Sequence, residues 1–218
     1  MFDGIAGQYD LMNRVMTLGQ DQKWRRFVVR TAGDPGHGVS LDLATGTGDI
    51  GALMIDIHPQ AKVVGGDFSL NMLKEAKKRF GAKHICWQAC DANMLPFGDN
   101  TFESVTFGYL LRNVDDAGQV IKEVYRVLKP GGKVVCLDTT PPDKNILYPL
   151  VRFYFRFGIP VLGRLIADDE AAYAYLTGST MDFHNADELA QLFSQGGFTH
   201  VGYKKFMLGT IAVHWGEK

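Results

Sequence analysis

Cysteine is scarce in this sequence. Cys86, Cys90 and Cys136 are its three, and they form no CxxC pair. An odd, unpaired set speaks against a disulfide framework and against a thiolate metal site. All three fall in expected strands, which reads as buried thiols in a reducing, cytoplasmic compartment. An excess of either charge is also missing: 23 Lys and Arg stand against 24 Asp and Glu, for a net charge of -1. Nothing in that balance calls for nucleic acid as a partner. No apolar run approaches the about 18 residues of a membrane-spanning helix. The start, "MFDGIAGQYDLMN", lacks a basic n-region and an apolar h-region, so it does not read as a secretory signal. No His/Cys/Asp cluster has metal-ligand spacing, and no metal is expected. What is left is an ordinary globular composition of 218 residues, 46% hydrophobic. One domain over 1–218 is the expectation.

The first two thirds alternate strand and helix patterns. "VSLDLA", "KVVGGD", "HICWQACD", "FESVTFGYL" and "KVVCLDT" read as strands. Asp49 to Ile57, "SLNMLKEAKKRF" and "DAGQVIKEVYRVL" read as helices, the last stopped by "KPGG". In the second helix Leu70, Leu73, Ala76 and Phe80 share the apolar face, with Ser69 as N-cap. Strands spaced by helices give an α/β, doubly wound, mostly parallel sheet. "FTHVGYKKF" and "GTIAVHWG" leave no room for a helix between them and predict a C-terminal antiparallel hairpin. Seven strands closed in this way match the Rossmann-like class I methyltransferase fold by analogy. The first ~30 residues read as a helical lid, and about 141–183, rich in aromatics, as a helical insertion on the substrate side.

The stretch "SLDLATGTGDIG" contains Gly46-x-Gly48-x-x-Gly51, a match to the dinucleotide fingerprint. The carboxylates beside it argue for another ligand. Asp49 opens the helix where a pyrophosphate would sit, Asp42 ends the strand, and the turn itself offers no basic residue. A plain helix cap remains the alternative for Asp49. S-adenosylmethionine (SAM), with its sulfonium and ammonium groups, suits this turn better than a diphosphate. Gly51 then reads as merely a small residue on the first helical turn. Asp67 follows Gly48 by 19 positions. A carboxylate there can accept both ribose hydroxyls, in NAD and SAM enzymes alike. Phe68 is either a cover for the adenine face or a buried aromatic. Asp91, ending the third strand, can accept the adenine amine.

"MFDGIAGQYDLMN", "DLATGTGD", "LPFGDNTFESVTF", "LLRNVDD", "EVYRVLKPGGKVVCLD" and "AYAYL" together resemble the ubiquinone/menaquinone biosynthesis C-methyltransferases over nearly the whole chain. The resemblance implies SAM contacts at Thr47, Asp67, Asp91 and Ala92, beside Asp42, Gly46, Gly48 and Phe68, with Tyr9 on the lid. Gly108 stands where the family commonly has a serine that contributes a side-chain contact. The family's F-G-(L/I)-R-N is Tyr109-Leu110-Leu111-Arg112-Asn113 here, and its L-E-F-S-K-P is "LDTTPP". An asparagine-aspartate pair becomes Asp168-Asp169, Ala172 replaces a serine, Gly178 a glutamate and His184 a proline. The cofactor half therefore matches more fully than the substrate half.

In such a reaction a ring carbon of a reduced quinol attacks the methyl group, and a phenolic proton must leave. The resemblance makes Arg112 the candidate that assists. Because a guanidinium is a poor base, its better role is to stabilise the phenolate. An ion pair with Asp115 or Asp116 is the structural alternative. Asn113 orients Arg112 or holds a water, and Tyr173 completes the catalytic set, with Asp169 and His184 behind it. His184 reads more simply as a cap or surface residue. "LYPLVRFYFRFGIPVLGRLIA" alternates greasy residues with Arg152, Arg156 and Arg164. It reads either as a core-packing helix or as a wall for a prenyl tail at the inner face of the membrane. The expected reaction is C-methylation of a prenylated quinol, demethylmenaquinol or a related naphthoquinol, with a homodimer left open. The alternatives are a methyltransferase of another small hydrophobic acceptor and a SAM-binding assembly protein without turnover.

Overall fold

The computed structural model describes residues 17, 19–142, 148–153, 158 and 178–218. Tyr9, Tyr173, Asp168, Asp169 and Ala172, with most of the expected lid and insertion, lie outside them. In chain order the elements are α1 (Asp21–Ala32), β1 (Val39–Leu43), α2 (Asp49–Ile57), β2 (Lys62–Asp67), α3 (Leu70–Phe80), β3 (Ile85–Ala89) and β4 (Phe102–Gly108). A 3-10 turn at Leu111–Asn113 leads to α4 (Ala117–Val127) and β5 (Leu128–Thr139). The short α5 (Tyr148–Phe153), α6 (Ala186–Gln195), β6 (Thr199–Phe206) and β7 (Ile211–Glu217) complete the set.

The strands form one seven-stranded sheet in the order β3-β2-β1-β4-β5-β7-β6. The first five are parallel, and β7 runs antiparallel to both β5 and β6. The expected hairpin is there, its strands joined through a 3-10 turn at Met207–Gly209. Strand order reverses between β1 and β4, which opens a crevice beyond their carboxyl ends. Two apolar layers cover the sheet. On one face Val120, Ile121 and Val124 of α4 and Leu189 and Phe193 of α6 pack on Leu41, Val105, Phe107 and Val134. On the other, Trp24, Val28 and Val29 of α1 and Ile50 and Met54 of α2 pack on Val63, Val135, Leu137 and Val213. Alternate residues of β5 serve opposite faces, as the strand's period of two requires.

Local chemistry sets the element ends. The Ser69 hydroxyl accepts from the Met72 amide at 3.2 Å and starts α3, as expected. Asn185 and Glu188 form a capping box on α6, and His184 before it is exposed. Arg126 of "YRVLKPGG" binds Glu123, Asp99 and the carbonyls of Leu95 and Phe97. It thereby pins the segment that follows Asp91 to α4.

Four expectations change. Cys86 is exposed, not buried, because β3 is an edge strand; Cys90 and Cys136 are buried. Leu70 is 61% exposed, and Met72 takes its place on the apolar face of α3. "KPGG" ends the helix but already belongs to β5, which pairs from Leu128 through a register shift opposite Phe102. Residues 21–30, expected in a lid, form most of α1, a core helix whose Trp24 is 1% exposed. Replacing Trp24 with alanine should lower the unfolding free energy by about 3–5 kcal/mol, read as a shift of the urea midpoint at unchanged slope.

Candidate active site

The site begins with a carboxylate that never reaches solvent. Asp42, 2% exposed, sits opposite Thr106 where β1 pairs with β4. One of its oxygens accepts from the Thr45 hydroxyl at 2.6 Å and the Gly51 amide at 2.9 Å, and the other from the Thr106 hydroxyl at 3.0 Å. Asp42 thus builds the turn rather than facing open solvent. A Cβ on Gly51 would lie 3.3 Å from the Asp42 carboxylate and 3.4 Å from Val63, so α2 packs closely on β1 and β2 at this small residue. Gly48 has φ +89°, and a Cβ on it would meet the Trp87 ring at 2.7 Å. Its backbone and its surroundings both require glycine.

Asp49 heads α2, but its charge is not left for a ligand. Arg25 of α1 pairs with one oxygen, and Arg79 of α3 with the other at 3.1 Å. The turn has no basic residue in sequence, yet the fold brings it two. In the folded chain Asp49's charge is therefore offset and does not itself repel a phosphate. The amide of Gly51 in the first turn of α2, which an anion would need, is already bound to Asp42.

Asp67 ends β2 and braces the glycine turn from outside. Its two oxygens accept from the amides of Gly46 and Ser69, each at 2.8 Å. Asp91 follows β3 and binds its own turn through the Asn93 amide at 2.8 Å. These residues line a cleft of about 520 Å³, within the usual size range of small-molecule sites. Gly46, Asp67, Phe68, Asp91, Ala92, Gly108 and Asn113 all border it. Phe68 is 82% exposed, so it is not a buried aromatic. A narrower recess of about 70 Å³ holds Thr47, Asp42 and Arg25 and shares Gly46, Gly108 and Tyr109 with the cleft.

The far wall follows β4. Tyr109 adopts φ +58°, a costly conformation for a bulky residue. Its amide donates to the Leu137 carbonyl at 2.7 Å, and its carbonyl accepts from the Asn113 side chain at 2.6 Å. Leu110, where the family has glycine, has φ -91°, so leucine costs the backbone nothing. Gly108 is equally unforced: a Cβ would meet Ile50 at 3.4 Å, an ordinary contact.

Arg112 turns away from Asp115 and Asp116. Asp116 instead caps α4, accepting from the Gln119 amide at 2.9 Å. The guanidinium lies over the Tyr109 ring at 4.9 Å, donates to the Thr139 hydroxyl at 3.0 Å and faces Asp138 at 3.8 Å. Asp138 is not among the candidates that the sequence singles out. The signal was present in "LDTTPP", a carboxylate at the carboxyl end of β5, but its pairing with Arg112 spans 26 positions.

Burial pushes the Asp42 carboxyl up from 3.8 to about 6, against the pull of its hydrogen bonds and Arg25. Between about pH 4 and 6 the folded chain keeps a proton that the unfolded chain has released. This group's contribution is therefore greatest below pH 4 and is lost as pH rises through 6. Asp42→Asn should reduce the fall in unfolding free energy between pH 4 and 6, measured by urea denaturation at each pH.

A model of the ubiE/COQ5 methyltransferase family matches residues 1–218. The chain is 73% identical over 218 residues to "Ubiquinone/menaquinone biosynthesis C-methyltransferase UbiE" of Desulfotalea psychrophila, covering all of this chain and 89% of that protein. It is 39% identical to a "Demethylmenaquinone methyltransferase" of Lactiplantibacillus plantarum, covering 100% and 94%. Among solved structures, Haemonchus contortus phosphoethanolamine N-methyltransferase 2 in complex with S-adenosyl-L-methionine aligns at TM-score 0.67 and 15% identity, over 90% of this chain and 52% of that one. A SAM-dependent methyltransferase from Aquifex aeolicus aligns at TM-score 0.62 and 16% identity, over 88% of each chain. The structural likenesses show the fold, and the sequence match over the full length shows that the chain belongs to the ubiE/COQ5 methyltransferase family.

Proposed function

We propose that the protein transfers the methyl group of SAM to a ring carbon of a prenylated quinol, demethylmenaquinol or a related naphthoquinol. The observation that carries this reading is one cleft joining Gly46, Asp67 and Asp91 at three strand ends to Asn113 and the Tyr109 wall after β4. The names of the relatives supply the substrate class.

The residues fit SAM as a ligand. Gly46 has φ +56° and open space where a Cβ would project, so a ligand can lie against the turn's backbone. Asp67 takes the ribose hydroxyls, Asp91 and Ala92 meet the adenine edge, and exposed Phe68 covers its face. Thr47, Gly48 and the narrow recess hold the amino-acid end, with Asp42 shaping the turn from beneath. SAM supplies an electrophilic methyl group on a sulfonium. The chain supplies position, which is the larger part of catalysis in such a displacement. Arg112, held over Tyr109, stabilises negative charge on the quinol oxygen. Asn113 fixes the turn that presents it. Tyr9 on the lid and Tyr173 in the insertion complete the proposed site.

Among the described residues no helix is long and apolar enough to cross a membrane. Peripheral contact at the inner face is proposed from the aromatic and arginine-bearing segment after β5, where Phe153 is 62% exposed. Sedimentation with anionic liposomes should recover the protein, and its complete absence from the pellet, with or without quinol, would refute this contact. The departures at Leu110 and "LDTTPP" are what keep a second acceptor class open, another small hydrophobic molecule.

Incubation with methyl-labelled SAM and a panel of reduced demethyl-quinols should place label in a naphthoquinol. SAM binding without transfer to any quinol would sink the substrate assignment, and NAD binding without SAM binding would sink the cofactor assignment. Asp67→Ala should weaken SAM binding roughly a hundredfold, since each charge-assisted hydrogen bond contributes about 1.5–3 kcal/mol. Gly108→Ser should fold normally and bind SAM a few-fold more tightly, about 0.5–1.5 kcal/mol for one neutral hydrogen bond. Both are read by titration calorimetry.

A further inference from the structure

At the carboxyl end of β5 lies a polar cluster with unfilled hydrogen-bonding capacity. Asp138 is 1% exposed and the Arg112 side chain 6%. Thr139, Thr140 and Thr180 are buried beside them. The Thr180 hydroxyl donates to that of Thr139 at 3.1 Å, and Arg112 donates to the same oxygen at 3.0 Å. Three atoms of this cluster nevertheless have no hydrogen-bond partner among the described residues: Arg112 Nε, Asp138 Oδ2 and Thr140 Oγ1. Buried polar atoms are rarely left so. Arg112 Nε and Asp138 Oδ1 are 3.8 Å apart, an ion pair too long for a direct hydrogen bond, with an unfilled donor on one side and an unfilled acceptor on the other for a water to bind.

We infer that Asp138 is the proton acceptor behind Arg112, receiving the quinol hydroxyl proton through a water held between carboxylate and guanidinium. The inference rests on the quinol reading above. Acting through Arg112 and that water, Asp138 is a positioning residue. Arg112 cannot take the proton itself at neutral pH, whereas a buried carboxylate can. The amides of Thr139, Arg112 and Leu111 are turned toward Asp138 and, with the guanidinium, hold its pKa down. Burial outweighs them and pushes it up from 3.8 to about 6, near the range in which a general base works best.

Few other titratable groups bear on it among the described residues. The Cys136 thiol lies two residues back on β5, its pKa pushed well up by burial and by Asp138. On β7, His214 stands opposite Cys136, and burial pushes its pKa down to about 4, so it stays neutral. Asp138 itself is paired with Ala212.

The O–H proton passes to Asp138, and its electron pair stays on the quinol oxygen beside Arg112. The ring carbon forms a bond to the methyl group as the carbon–sulfur bond breaks, its pair remaining on sulfur. The ring C–H proton then leaves to water as aromaticity returns, and Asp138 gives its proton back to the oxygen.

The test is the pH dependence of kcat for the intact protein with two quinols of different hydroxyl acidity, beside Asp138→Asn and Asp138→Glu. The parent rate should fall below pH about 6, with the same midpoint for both quinols. Asp138→Asn should lose that midpoint and about a hundredfold in kcat, the usual contribution of a positioned base. SAM affinity should hold within about threefold, and Asp138→Glu should recover about tenfold over asparagine. A midpoint that moves with the quinol's own acidity overturns the inference without any variant. So does an asparagine variant that keeps the parental midpoint. If the parent binds SAM but methylates no quinol, the substrate reading is what fails, and this inference goes with it.

Discussion

The buried carboxylate of Asp42 is the interaction on which the site depends. It ties three elements together: β1 through its own backbone, β4 through Thr106, and the first turn of α2 through Gly51. A carboxylate taken fully out of water is expensive unless its oxygens are hydrogen-bonded. Here each oxygen has a donor, and the donors are the parts of the turn that must not move. The cost appears as a pKa pushed up to about 6. The benefit is a glycine loop whose shape exists before any ligand arrives, with Asp67 bracing it from the cleft side through the Gly46 amide. Binding then spends little free energy on ordering the loop.

The opposite wall works by the same logic with different groups. Tyr109 is held in a left-handed conformation by bonds to Leu137 on one side and Asn113 on the other. Its ring then becomes a platform for the Arg112 guanidinium. Arg112 is fixed a second time by Thr139 and Asp138. In the proposed reaction a positive charge so restrained needs no reorganisation when negative charge develops nearby, which is what makes electrostatic stabilisation effective. The two walls belong to adjacent strands, β1 and β4, at the point where the strand order reverses.

Much of the site was legible because it is local. Asp67 ends its strand, and Gly46, Asp91 and Ala92 come within three residues of theirs; parallel strands place all such positions on one edge of the sheet. Asp42 was legible as important, but the reason was not. Its neighbours in sequence suggested a ligand, whereas its partners in space are Thr106 and Gly51. Asp49 misled in the same way, since Arg25 and Arg79 reach it from 24 and 30 positions away. Asp138 was not legible because its significance depends on Arg112, a partner on a different connection of the sheet.

The sequence by itself determined the fold class, the strand that carries the glycine turn, the closing hairpin and the row of carboxylates. These follow from hydrophobic period, glycine placement and connection length, all of which act between near neighbours in the chain. Only the tertiary structure decided which charges are neutralised, which glycines are closely packed and where the Arg112 guanidinium points. Gly51 and Trp24 show why. A small residue on a helix and an aromatic in an expected lid acquire their roles from β1, β2 and the core face of the sheet. Charge pairing and close packing are properties of distance in space, and the chain's local pattern does not encode that distance.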